Sequence, residues 1–210
     1  MEQTKESQYQ FLLDLEKSGL EQFGLMSSQM WRDDPRRLGI FLARYKFVAK
    51  MFSGMNRVLE VGCADGFGTR VVRQEVNEVV ATDFDPVFVT RNQSRAQGKW
   101  NITYKVHDML ANPLAENFDA VYAVDVVEHI RTDDEDRFVN NLAASLHAQG
   151  VCLVGTPSLE SQAYASAPSK AGHVNCKTAG TLKELMLRRF HNVFIFSMND
   201  EMVHTGFPAL

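Results

Sequence analysis

Short apolar runs alternate along the chain with segments whose apolar residues recur at helical spacing, the pattern of strand–helix–strand units covering a parallel sheet. Residues 6–24 read as a first helix, and Leu38, Phe41, Leu42, Tyr45, Val48, Ala49 and Phe52 mark a second. Pro35 follows Asp33 and Asp34 where a helix start tolerates proline. RVLEV (57–61), VVATD (79–83), ITYKV (102–106), FDAVYAV (118–124) and VCLVG (151–155) read as five strands, and NVFIFS (192–197) as a sixth. FDAVYAV is apolar enough to lie centrally, covered on both faces. One helix is predicted from a glycine-rich turn to about Gln74, and another from an Asp85 cap with Pro86 in its first turn. Thr132 and Glu135 form a capping-box pattern ahead of Phe138, Leu142 and Leu146, and Thr181 with Glu184 form a second one ahead of a helix to about Arg189. A seventh strand, if the sheet has one, falls at about 202–207.

A chain of 210 residues is long enough for one domain with a substantial core. The expected division is an N-terminal helical extension, 1–54, and one α/β domain, 55–210. No apolar run approaches the roughly 20 residues of a membrane span. The polar start MEQTKESQYQ is unlike a secretory signal, so membrane insertion is not expected and a cytoplasmic location is. Cys63, Cys152 and Cys176 are odd in number and widely spaced, which fits reduced, packed thiols better than disulfides or a zinc knuckle. A formal charge of −4 weighs against a broad nucleic-acid-binding face. Arg32, Arg36, Arg37 and Arg44 still cluster ahead of the domain, either as a solvated helix face or as a local basic patch. The acidic run 133–136 suits the first turn of a helix, where the dipole favours negative charge. The Ser-, Ala- and Pro-rich segment 156–179 is longer than a connector requires, which favours a lid or binding loop.

Candidate chemistry concentrates at the strand ends. Glu60-Val-Gly62-Cys63-Ala64-Asp-Gly66-Phe-Gly68 lies between a buried strand and a helix, where glycines let the backbone turn sharply beside a ligand. Alanine at position 64 removes the dinucleotide spacing G-x-G-x-x-G, and no lysine follows for a nucleotide phosphate loop. A nicotinamide-dependent oxidoreductase is therefore disfavoured. Asp83 ends the second strand about twenty residues past the turn, where a carboxylate can accept from ribose hydroxyls. Asp108 follows the third strand, within reach of an adenine amine.

Taken together, VLEVGCADGFGTR, VVATDFDP, VHDM and FDAVYAVDVVEHI resemble, in order and spacing, the motif series of class I S-adenosylmethionine-dependent methyltransferases over residues 57–197. The resemblance implies a Rossmann-like, doubly wound, mostly parallel sheet ordered 3-2-1-4-5-7-6, with helices ahead of it. It implies S-adenosylmethionine as cofactor, on a site including Glu60, Gly62, Cys63, Ala64, Gly66, Asp83, Phe84, Asp108, Met109 and Asp125. Family members commonly continue through a seventh-strand hairpin that walls the acceptor site, so this chain is expected either to be truncated or to have an open site. Within the family the chain looks most like the ubiquinone-type O-methyltransferases, and its DPRRL segment puts Arg37 in the position of an arginine on the cofactor carboxylate.

Transfer from a sulfonium is a direct displacement, so the protein's task is alignment, exclusion of water and removal of the acceptor's proton. The candidates are His129, Glu128 and His173, with His129 first because a neutral imidazole suits a general base. Alternatively, Glu128 and His129 only tie the loop to the sheet. D-x-x-E-H also resembles the cation-binding E-x-x-E-H of ubiquinone-type and small-RNA methyltransferases, which makes Asp125, Glu128, His129 and His173 a candidate divalent-cation set. The expected acceptor is a hydroxyl of a small molecule. RNA and a non-catalytic cofactor-binding module are the alternatives.

Overall fold

The computed structural model describes residues 3–198 except 97 and 99. Five strands, β1 (Arg57–Val61), β2 (Glu78–Asp83), β3 (Ile102–Val106), β4 (Phe118–Val124) and β5 (Leu146–Gly155), form one sheet in the order β3-β2-β1-β4-β5. All four pairings are parallel, so every strand's carboxyl end, and the turn after it, emerges along one edge. That edge carries the site.

Alternate residues of the central strands enter two separate layers. On one face Val58, Val79, Ala81, Ala120 and Tyr122 pack against Tyr45, Val48, Ala49 and Phe52 of α3 (Arg36–Met51) and its C-cap, and against Val72 of α4 (Thr69–Arg73). On the other, Leu59, Val61, Val80, Val121 and Ala123 meet Phe138, Val139 and Leu142 of α6 (Glu135–Ala144) and Leu185 and Met186 of α8 (Ala179–Leu187). A sheet buried on both faces explains why these strands read as nearly unbroken apolar runs. The third helix, α3, predicted from its apolar spacing, is thus part of the sheet's own core.

Several sequence expectations are corrected. The helix expected over 6–24 is shorter: after a 3-10 turn at Ser7–Tyr9, α1 (Gln10–Ser18) ends at Gly19, whose φ is +99°, and a helix not expected from the sequence, α2 (Leu25–Asp33), begins after Gly24. Asp85 does cap α5 (Pro86–Arg95), accepting from the Val87 amide at 2.8 Å. Thr132 and Glu135 do not form a capping box. A 3-10 turn, Thr132–Asp134, precedes α6, and the Glu135 carboxylate turns inward to Lys177 at 2.5 Å. A buried ammonium is a stronger partner than one helix-end amide. The second capping box exists one turn earlier than predicted, between Thr178 and Thr181. The long loop holds a 3-10 turn, Leu159–Tyr164, and the short helix α7 (Ala167–Gly172).

Segment 192–197 is not a strand. Phe194 and Phe196 are exposed there, and Phe196 packs on Phe47 with ring centroids 5.3 Å apart. Its apolar, aromatic composition carried the prediction, but composition supplies no ladder partner. The seventh-strand expectation at 202–207 lies outside the described residues. Among the described residues no helix is long and apolar enough to cross a membrane.

Candidate cofactor and acceptor site

The chain leaves β1 through Gly62, whose φ of +80° favours glycine. The amides of Gly62 and Cys63 both donate to the Thr82 carbonyl, at 2.8 and 2.9 Å, which pins the turn to the end of β2. A Cβ on Gly62 would stand 2.4 Å from Val126 Cγ2, so the loop after β4 packs directly on the turn. Ala64 is held in the left-handed region, φ +45°, by contacts at both of its ends. Its N–H donates to Asp83 Oδ2 at 2.9 Å, and its carbonyl accepts from Asn92 Nδ2 at 2.7 Å. The other Asp83 oxygen accepts from the Asp85 amide at 2.9 Å. Two backbone donors thereby fix the Asp83 carboxylate, and each oxygen keeps a further lone pair.

Below the turn, Glu60 is buried and accepts from Thr69 Oγ1 at 2.5 Å, tying β1 to the first residue of α4. Burial pushes its carboxyl up to about 7 in spite of that hydrogen bond. Cys63 is buried as well, its thiol raised well above the usual range by the same cause. Phe84 is 74% exposed beside Asp83 at the sheet edge. Asp108 is exposed and accepts from the Leu110 amide at 2.8 Å. The Met109 side chain belongs to the core. Glu60 and Cys63 are thus buried at the turn itself, and Met109 in the core layer on the opposite face of the sheet.

Asp65, within the same turn, accepts from the Ser27 amide at 2.8 Å and the Ser27 hydroxyl at 3.2 Å, and so caps α2. A Cβ on Gly24 would fall 2.1 Å from Asp65 Cβ. Close backbone approach thus seats the N-terminal helices on the glycine turn.

On the other side of the edge, Asp125 ends β4 with φ +57°, its amide donating to the Gly155 carbonyl at 2.8 Å. The 3-10 turn Val127–His129 follows. Glu128 is 0% exposed, and its Oε2 accepts from Thr156 Oγ1 at 3.0 Å while Oε1 is buried without a partner. Burial, then the Asp125 charge, pushes this carboxyl up to about 7. The Glu128 carbonyl accepts from the Val174 and Asn175 amides, at 2.8 and 3.0 Å, and so anchors the long loop. His129 Nδ1 lies 2.9 Å from the Gly172 carbonyl, which makes Nδ1 the donor and directs the acceptor role to Nε2 of the neutral ring. His173 Nδ1 lies 2.9 Å from Gln162 Oε1, and burial followed by the neighbouring His129 holds this imidazole below its usual range. The two rings meet edge to face at 5.2 Å.

Glu128, His129 and His173 each offer a donor atom within 4.8 Å of the others, so three of the four residues of the expected cation set come together. Asp125 is drawn off: Arg44 Nη1 of α3 pairs with its Oδ1 at 2.5 Å. Arg37 is exposed at the start of α3, near Asp33 and Asp34. Arg44, seven residues on and hence on the same helix face, is the residue of α3 that pairs with Asp125.

Sequence reasoning missed Asp65, Asn92 and Thr156, and left Arg44 within a basic cluster. The heptad offset from Arg37 was the one available signal for Arg44. Nothing local marks Asn92 or Thr156, because their partners are distant in sequence. A hollow of about 340 Å³ lined by Gln162, Lys170, His173, Asn175 and Cys176 adjoins the histidines. Another of about 340 Å³, lined by Phe23, Phe67, Arg70, Trp100 and Tyr104, contains none of the Asp83, Asp108 or Asp125 carboxylates.

Residues 58–150 match the family model of a methyltransferase domain. Over 106 residues the chain is 33% identical to a protein of Mycobacterium tuberculosis named as a probable S-adenosylmethionine-dependent methyltransferase, covering 48% of this chain and 35% of that one. A similarly named protein of Mycolicibacterium smegmatis is 28% identical over 115 residues, covering 54% of this chain and 42% of the relative. The matched stretch thus spans well under half the length of either relative. Among solved structures, the N-methyltransferase NodS of Bradyrhizobium japonicum in complex with S-adenosyl-L-homocysteine superposes with a TM-score of 0.62 at 18% identity, over 84% of each chain. A sugar N-methyltransferase of Streptoalloteichus gives a TM-score of 0.52 at 16% identity, over 67% of this chain and 56% of that one. At these identities the likeness is one of fold, and the fold is that of a Rossmann-like methyltransferase domain.

Proposed function

We propose that the protein transfers a methyl group from S-adenosylmethionine to a hydroxyl of a small molecule. The observation that carries the cofactor reading is the Asp83 carboxylate, oriented by the Ala64 and Asp85 amides at the mouth of a turn that only a glycine at position 62 fits. A carboxylate with both oxygens fixed and a lone pair left on each suits the two hydroxyls of a ribose. The exposed Phe84 ring and the Asp108 carboxylate suit an adenine face and its amine. The cofactor, when bound, supplies a methyl group on a sulfonium that leaves readily.

What remains for the chain is to align the acceptor, keep water out and take a proton. His129 does the last. With Nδ1 directed at the Gly172 carbonyl, Nε2 is the acceptor, and a hydroxyl placed there gives its proton to the imidazole as transfer proceeds. His173, whose imidazole burial and the neighbouring His129 hold below its usual range, lines the adjoining hollow where an acceptor would sit. Glu128 is a positioning residue, gathering Thr156 and the amides of the long loop. The order Asp125, Glu128, His129, with His173 supplied by that loop, is the support for the ubiquinone-like, oxygen-methylating reading.

A second reading has one specific observation behind it. Glu128, His129 and His173 are close enough to share a divalent cation, and Glu128 Oε1 is an unpartnered buried acceptor. A panel of phenols, alcohols and amines, scored by production of S-adenosylhomocysteine before and after chelation, tests both. Turnover of hydroxyl acceptors that survives chelation and falls at least about tenfold in His129→Ala is expected. Turnover confined to amines would refute the hydroxyl reading, and loss on chelation restored by Mg²⁺ or Mn²⁺ would favour the cation.

A further inference from the structure

The hollow away from the histidines is walled by α4, α5, β3 and the segment between α1 and α2. Its volume of about 340 Å³ is within the range of small-molecule sites. Four of its lining residues, Phe23, Phe67, Trp100 and Tyr104, are aromatic, and Phe23 meets Phe67 edge to face with ring centroids 5.2 Å apart. The charged side chains of the described wall are matched internally. Arg70 Nη1 pairs with Glu21 Oε2 at 2.8 Å, Asp65 caps α2, and Arg95 Nη2 donates to the Asp65 carbonyl at 2.8 Å and to Asn92 Oδ1 at 2.7 Å. A charged ligand finds no free counter-charge among them, and an uncharged one needs none. The Tyr104 hydroxyl is left over. It makes no hydrogen bond among the described residues and sits against the glycine turn, 2.7 Å from where a Cβ on Gly66 would stand. Burial, then the Glu60 charge, raises this phenol above its usual range, so it keeps its proton and can donate.

We propose that this hollow is an effector site for a small, uncharged heteroaromatic ring, which lies among the four aromatic side chains and accepts a hydrogen bond from the Tyr104 hydroxyl. The same wall holds the glycine turn. Asn92 Nδ2 donates to the Ala64 carbonyl at 2.7 Å, Arg95 holds the Asp65 carbonyl, and the Ala64 amide orients Asp83. A ring packed on Asn92 and Arg95 therefore favours the arrangement of the turn that Asp83 needs, and ring and cofactor strengthen each other's binding by the same factor. That link rests on the S-adenosylmethionine reading, whereas the site itself does not.

The test is an NMR titration of the whole chain with three probes, followed at the Trp100 indole and at the Gly66 and Phe67 amides. Quinoline carries one ring acceptor, naphthalene is its isostere without one, and quinoline-2-carboxylate adds a charge. The expected order is quinoline tightest, naphthalene about three- to tenfold weaker, the worth of one hydrogen bond, and the carboxylate weakest. Tyr104→Phe should bring quinoline down to the affinity of naphthalene and leave naphthalene unchanged, which also shows that the variant keeps the hollow. In calorimetry, saturating quinoline should tighten S-adenosylhomocysteine about fivefold or more. Absence of shifts at these three reporters would overturn the site. Equal affinities of quinoline and naphthalene, a carboxylate that binds best, or undiminished quinoline affinity in Tyr104→Phe would overturn the ligand assignment. Quinoline binding that leaves S-adenosylhomocysteine affinity unchanged would overturn the effector role. Failure of S-adenosylhomocysteine to bind wild type would overturn the cofactor reading and the effector role with it, while the quinoline titration still decides the site.

Discussion

Glu60→Gln should abolish a specific part of the protein's loss of stability between pH 5 and pH 8. The Glu60 carboxyl is buried beneath the glycine turn, and burial raises it from an ordinary 4.5 to about 7. Between those values the folded chain holds a proton that the unfolded chain has released. Stability therefore falls as pH rises through that window and levels off above it. A gap of about 2.5 in pH, at about 1.4 kcal/mol for each, amounts to roughly 3 kcal/mol. Glutamine keeps an oxygen for the Thr69 hydroxyl and does not ionise. Glu128 titrates in the same direction, so both proteins lose stability on its account, and the quantity to read is the difference between them. Urea unfolding of wild type and Glu60→Gln at pH 5 and pH 8 measures it. The variant should gain about 2–3 kcal/mol on wild type between the two conditions. Parallel losses in the two proteins would refute the idea that Glu60 is forced to ionise in a buried site.

Other consequences follow from single contacts. Gly62→Ala puts a Cβ 2.4 Å from Val126 Cγ2 at a φ of +80°, and should cost about 1–3 kcal/mol by urea unfolding while weakening S-adenosylhomocysteine binding. Asp65→Ala removes the cap of α2, and amide hydrogen exchange over residues 25–33 should quicken by about fivefold, as loss of about 1 kcal/mol implies, with core strands unaffected. Lys177→Met leaves the nearly buried Glu135 carboxylate to Asn175 and the more distant Arg188 and should cost about 2–3 kcal/mol, most of it recovered in Lys177→Met with Glu135→Gln.

What was legible in the sequence was whatever depends on neighbours along the chain. The strands β1, β2 and β4 were readable because a parallel sheet covered on both faces demands continuous apolar runs, and Asp85-Pro86 because a cap acts within one turn. The glycine turn and Asp83 were readable as types in order. The errors share a cause: a distant partner overrode a local preference. Glu135 left its expected capping role for Lys177, forty-two residues on. Phe196 went to Phe47 on α3. His129 and His173 meet as the motif order suggested, but only because the Glu128 carbonyl receives the Val174 and Asn175 amides, a contact no periodicity encodes.

Whether Asp83 and the glycine turn hold S-adenosylmethionine is decided by calorimetric titration of S-adenosylhomocysteine into wild type and Asp83→Ala, each shown to be folded by circular dichroism. Saturable one-to-one binding by wild type and at least about a tenfold loss in the variant, the worth of hydrogen bonds to a charged group, are expected. Folded wild type that does not bind, or a variant that binds equally well, would contradict it.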